Sequence, residues 1–96
     1  MEQNMNESYI LGTALKISVF INRTPSAVTI TVRTPSGTIA VNEASMTSET
    51  DTVYSYIFQS SNNDTEGEYI AKITVTDGTY TGIEEITFFL RKQSWS

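Results

Sequence analysis

Cysteine and histidine are both missing from the 96 residues of this chain. Their absence removes disulfides, thiolate nucleophiles, imidazole bases and the usual zinc ligands together. Apolar stretches are short, and none approaches the run of roughly 18 residues that suggests a transmembrane helix. Positive charge is scarce as well: Lys16, Arg23, Arg33, Lys72, Arg91 and Lys92 stand against 11 acidic residues, for a net charge of −5. Six scattered cations do not make the concentrated positive face that a phosphate backbone requires, so no nucleic-acid partner is expected. Anionic membrane surfaces are disfavoured for the same reason. The stretch Met1 to Ser8 is polar and acidic, unlike the start of a signal peptide, which gives the expectation of a product made and kept in a cytoplasm.

What is present points to one small domain with little surplus stability, since a chain of this length has room for a single core and no covalent staple. Threonine and serine number 15 and 11. Threonine suits a pleated, half-exposed surface, so the enrichment predicts strands with solvated outer faces. An O-glycosylated stalk shares that bias but is rich in proline, of which this chain has two.

The periodicity agrees. Leu15 to Ile21 places aliphatic residues at odd positions, Val28 to Arg33 alternates more cleanly, and Tyr69 to Thr76 sets Tyr69, Ala71, Ile73 and Val75 on one face. Such alternation marks antiparallel strands with one dry and one wet face. Two more strands are apolar on both sides. In Val53–Phe58 the set Tyr54, Tyr56 and Phe58 is assigned to the core, and in Ile83–Leu90 the set Ile86, Phe88 and Leu90. A short strand is expected at Thr38–Val41 and a weaker one near Tyr9–Ile10. Thr34-Pro35-Ser36-Gly37 combines a preset φ with a glycine and predicts a turn, and Asp77-Gly78 predicts a hairpin. The sum is an all-β, antiparallel two-sheet sandwich of about seven strands, favoured over a small barrel. It is expected to span residues 9–91, with flexible tails at 1–8 and 92–96.

Residues able to carry chemistry are few. Asn62, Asp64 and Glu66 precede Gly67 with the spacing of calcium-loop oxygens, but the twelfth position is Ile73 and no carboxylate closes the set. Asn62, Asp64 and Glu66 therefore remain a weak calcium candidate, and no metal or cofactor is expected. Glu84 and Glu85 are adjacent in a strand and point to opposite faces, which excludes shared acid–base work. No serine has a histidine partner, and no glycine-rich phosphate loop exists, so no catalytic residue is assigned. The triplets beginning at Asn6, Asn22 and Asn63 match N-glycan acceptors, as chance readily produces in such a composition. Outward-facing apolar residues are the better lead. If odd residues of the strand from Leu15 are core, Phe20 points out, joined by Val53 and Ile57 on a neighbouring strand; Ile70 and Phe89 lie outward on the other sheet. Phe20, Val53, Ile57, Ile70 and Phe89 form the candidate protein-contact set. Trp95 in the tail is a further candidate anchor.

Gly67-Glu68-Tyr69-Ile70-Ala71 resembles the corner of immunoglobulin-like sandwiches, in which a tyrosine at the start of a strand ties down the preceding loop. Thr65 stands where that pattern has Asp and Ala71 where it has cysteine, so the disulfide of antibody domains is absent. The resemblance gives Tyr69 and Gly67 a structural role. Together with Leu11–Ile17, Val28–Gly37, Val53-Tyr54-Ser55-Tyr56 and Phe88-Phe89-Leu90, it spans roughly residues 9 to 90. Over that span the chain resembles small stand-alone immunoglobulin-like proteins encoded among the head and tail genes of tailed viruses. It resembles equally the single immunoglobulin-like repeats of prokaryotic surface proteins. Thr52 departs from that pattern, which commonly has glycine before the Val-Tyr pair. The resemblance implies a non-catalytic adhesive module in a virion or host cytoplasm, with a capsid or tail protein, or its own copies, as partner. The alternative it implies is a cell-surface or secreted adhesive protein.

Overall fold

The alternating runs pair as strands wherever both of their faces are accounted for. The computed structural model describes residues 8–21, 25–61 and 64–92, and the elements below are those of the described residues. Eight strands follow in order: β1 (Ser8–Ile10), β2 (Ala14–Phe20), β3 (Ala27–Arg33), β4 (Ile39–Ser45), β5 (Thr47–Ser48), β6 (Val53–Gln59), β7 (Gly67–Thr76) and β8 (Thr81–Arg91). They form a five-stranded sheet in the order β1-β8-β7-β3-β4 and a three-stranded sheet in the order β2-β6-β5. The expected all-β sandwich is present, with two refinements. β5 adds an eighth strand, and β1 runs parallel to the end of β8, with Tyr9 opposite Leu90, making the larger sheet mixed. Among the described residues, no helix is long and apolar enough to cross a membrane.

The core lies where the two inner faces meet. Leu15, Ile17 and Val19 of β2 and Phe58 of β6 face Val28, Ile30 and Val32 of β3, Tyr69, Ala71, Ile73 and Val75 of β7, and Phe88 and Leu90 of β8. Full burial of each large aliphatic side chain contributes about 1.5–3 kcal/mol. The central strands β3 and β7 keep strict register from Ala27 opposite Thr76 to Arg33 opposite Ile70.

Both turn signals act as expected. The Gly37 amide donates to the Thr34 carbonyl at 2.9 Å, Gly37 has φ 93°, and β3 folds back on β4. Asp77 Oδ1 accepts from the Tyr80 amide at 2.8 Å and closes the β7–β8 hairpin, with Gly78 at φ 93°.

β4 departs from the expected Thr38–Val41: it continues to Ser45. Its pairing with β3 shifts between Ile30 and Val32 and again between Val32 and Arg33, so β4 holds an extra residue at each place. Glu43 sits at φ 50°, its amide bonded to Thr31 Oγ1 at 3.1 Å. Such bulges break the period-two pattern by which strands are recognised, and they blunt an edge against unwanted pairing.

Of the expected tails, Ser8 opens β1 and Lys92 follows β8. The remainder of both tails, Trp95 included, lies outside the described residues. So do Asn62 and the acceptor asparagines Asn6, Asn22 and Asn63.

Candidate interaction surface

The side chains singled out by sequence divide between the two ends and the two outer faces of the sandwich. At one end Tyr69 is 1% exposed and its hydroxyl donates to the Thr65 carbonyl at 2.7 Å. Its ring stacks on Phe88 at 5.6 Å between centroids, and Phe58 lies 6.1 Å from Tyr69 and 6.0 Å from Phe88. Phe58 belongs to the small sheet and the other two to the large one, so the three rings join the layers. Burial pushes the Tyr69 phenol above its ordinary pKa, with the nearby Asp64 charge adding to the effect. Gly67 adopts φ 136°, and a Cβ there would stand 2.8 Å from Pro35 Cγ. Backbone strain and contact therefore both require glycine at Gly67, and the β3–β4 turn rests directly on it.

Sequence reasoning missed a second device at this end. Ser60, buried, accepts from the Gly12 amide at 2.9 Å and donates to the Thr13 carbonyl at 2.7 Å. Gln59 Nε2 reaches the carbonyls of Gly12 and Ser60. Nothing in a lone Gln-Ser pair at a strand end signals this role.

The acidic residues of the calcium candidate are engaged separately. Asp64 Oδ2 accepts from the Ser61 amide at 2.8 Å, and Glu66 Oε2 from the Lys92 amide at 2.9 Å. Among the described residues, no three metal-ligating side chains gather. Glu84 pairs opposite Ile73 and Glu85 opposite Lys72, so the two carboxylates lie on opposite faces of β8.

On the outer face of the small sheet, Phe20 is 67% exposed and stands directly opposite Val53. Ile57, 56% exposed, is opposite Lys16 instead, four residues or about 13 Å along the strand. Between them lies the Ser18–Ser55 pair. Ser55 faces outward yet is only 4% exposed, with Glu49 bonded to it and Thr47 of β5 alongside. Ser55 Oγ donates to Glu49 Oε2 at 2.6 Å, and Lys16 Nζ lies 3.4 Å from the same oxygen. The Ser55 bond and then the Lys16 charge hold the Glu49 carboxyl below its usual range. The structure thus divides the expected patch into a Phe20–Val53 pair and a separate Ile57, with a polar bridge between.

Ile70 and Phe89 are exposed on the outer face of the large sheet, at diagonal positions of β7 and β8: Ile70 opposes Thr87 and Phe89 opposes Glu68. Ile39 joins them across Arg33.

At the Phe20 end the two sheets part. A cleft of about 370 Å³ is lined by Val19, Phe20, Ile21, Val75, Gly82, Ile83 and Glu84. Ile83 and Tyr80 on its side are 61% and 67% exposed. Ile83 shares the parity of Glu85 and Phe89, a signal sufficient to place it outside.

No protein-family model matches the chain, and no curated protein matches it. Among solved structures, the M1 domain from titin superposes with a TM-score of 0.51, covering 96% of this chain and 91% of that one at 16% sequence identity. At that identity the likeness speaks to architecture alone: the chain has an immunoglobulin-like fold.

Proposed function

We propose that this chain is a non-catalytic structural and adhesive module that acts by protein–protein contact, as an accessory component of a virion head or tail. The observation that carries the contact reading is the Phe20–Val53 pair, an apolar couple on the outer face of a regular sheet at the open end of the sandwich. Exposed apolar residues gathered on a rigid face are a common mark of contact surfaces. An immunoglobulin-like fold suits that use, since it presents faces, edges and loops on a stiff frame. The chain has no histidine or cysteine, and its adjacent carboxylates face apart, which supports a role without catalysis. The virion setting rests on the sequence resemblance over residues 9 to 90. In such an assembly, copy symmetry multiplies weak contacts into avidity.

Replacing Phe20 with aspartate tests the contact face. The expected result is smaller assemblies in light scattering at an unchanged melting midpoint; assemblies of unaltered size would remove Phe20 from the contact. The setting is tested separately by the neighbouring genes: capsid and tail genes on either side support it, and a flanking array of surface-protein repeats would overturn it.

A further inference from the structure

The four edges of the two sheets are not equally protected. β4 carries two bulges and Glu43 at positive φ. β5 has two residues and β1 three. The stretch of β8 beyond β1 carries Glu84 and Glu85. β2 is the one long edge among the described residues with unbroken pairing, from Ala14 opposite Gln59 to Phe20 opposite Val53.

The direction of its backbone groups follows from two bonds in the same register. The Ile21 amide donates to the Thr52 carbonyl and the Ser60 amide to the Thr13 carbonyl. Antiparallel strands alternate bonded and non-bonded pairs, so Leu15, Ile17 and Val19 turn their backbone groups toward β6. Ala14, Lys16, Ser18 and Phe20 turn theirs outward to the open edge.

We infer that this edge is a strand-addition site and that its occupant is β2 of a second copy, antiparallel about a two-fold axis at Ile17. In that register Ala14 pairs with Phe20 of the other copy and Lys16 with Ser18. Each outward amide thereby meets an outward carbonyl of the other copy, and no lysine stands opposite a lysine. The small Ala14 leaves room for the Phe20 ring, which is largely exposed in the single chain. The inner face matches too: a slot beside the edge, bordered by Lys16 and Ser18 of β2, is otherwise lined by Leu15, Ile17, Ile86, Phe88 and Tyr9, where the added strand brings its own Leu15, Ile17 and Val19. Lysine on an edge strand often opposes such pairing. Here Lys16 already lies 3.4 Å from Glu49 on its own sheet, leaving the edge locally neutral despite the net charge of −5. The product is a continuous six-stranded sheet made of two three-stranded ones.

The inference rests on the module acting by contact, but not on Phe20–Val53 being the contact face. Ser18→Pro separates the two, because it removes an outward amide and leaves every β2–β6 bond in place, a position where a strand tolerates proline. Sedimentation of the unsubstituted chain is expected to show a dimer that dissociates on dilution, and Ser18→Pro to weaken it by about tenfold or more. Amide exchange gives a second reading that needs no variant. Lys16 and Ser18 amides should gain protection as concentration rises, whereas Ile17 and Val19 should be protected throughout. A monomer up to millimolar concentration, or concentration-independent exchange at Lys16 and Ser18, would overturn the pairing. Because the pairing also seats Phe20 against Ala14, the contact face is probed at Val53 of β6: assembly lost with Ser18→Pro but kept with Val53→Asp sinks the contact face and upholds the edge; the reverse pattern sinks the edge and upholds the face.

Discussion

At the Tyr69 end, three rings from both sheets meet, a buried serine ties one loop to another, and a glycine is pinned under Pro35. At the Phe20 end, the same two sheets part around an open cleft, and Phe20, Tyr80 and Ile83 face solvent. The tying contacts are gathered at one end, while exposed apolar side chains occur at both, with Ile70 and Phe89 on the outer face beside Tyr69. A small domain without disulfides has little reserve, so it gains by concentrating its fixed points at one end beneath outer faces that stay exposed.

Truncating one apolar side chain at each end should give very unequal losses. Phe88→Ala removes the ring that stacks on Tyr69 and contacts Phe58, and should cost about 3–5 kcal/mol, enough to threaten folding. Ile83→Ala removes an exposed side chain and should change stability by no more than about 0.5 kcal/mol. Urea midpoints of the two variants test this directly. Equal losses would mean that the cleft end is as heavily packed as the ring end.

Much of the Tyr69 end was readable from residues alone, because a glycine two positions before a strand tyrosine is a local pattern. The core assignments of Tyr54, Tyr56 and Phe58, and of Ile86, Phe88 and Leu90, followed from choosing the larger apolar set. The second half of β4 was not legible, since two extra residues destroy alternation and Asn42-Glu43 reads as loop. Nor was the division of the Phe20, Val53 and Ile57 set. Parity places all three on one face, but only the pairing register shows that Ile57 opposes Lys16, and only the path of Glu49 shows that Ser55 is covered. Contacts made by a side chain reaching from outside a strand leave no period to detect.

Tyr69→Phe acts at the same end on a smaller scale. The ring stays, the bond to the Thr65 carbonyl goes, and the expected loss is about 1 kcal/mol. The pH dependence carries a second signature. The folded-state pKa of Tyr69 is raised above the ordinary 10.0, so its contribution is fully present below that value and is lost as pH rises through the folded pKa. The stability gap between the natural chain and Tyr69→Phe should therefore narrow in alkali. A gap that is absent at neutral pH would detach Tyr69 from the closure of this end.

The smallest effect is expected midway between the ends, at Glu49. Its carboxylate is exposed, bridges Ser55 and Lys16, and has its pKa lowered chiefly by the Ser55 hydrogen bond. A lowered folded-state value gives stability that is present above the ordinary 4.5 and fades as pH falls through the folded pKa. Glu49→Gln keeps an oxygen for Ser55 to donate to and removes the charge facing Lys16. Its melting midpoint should sit slightly below that of the natural chain at neutral pH and low salt. The difference should shrink in acid and in high salt, as expected of a solvated pair. A difference indifferent to both would mean that Glu49 acts by covering Ser55 rather than by charge. The polar bridge between Phe20–Val53 and Ile57 would then be a matter of shape, and neutralising it would leave the outer face as divided as before.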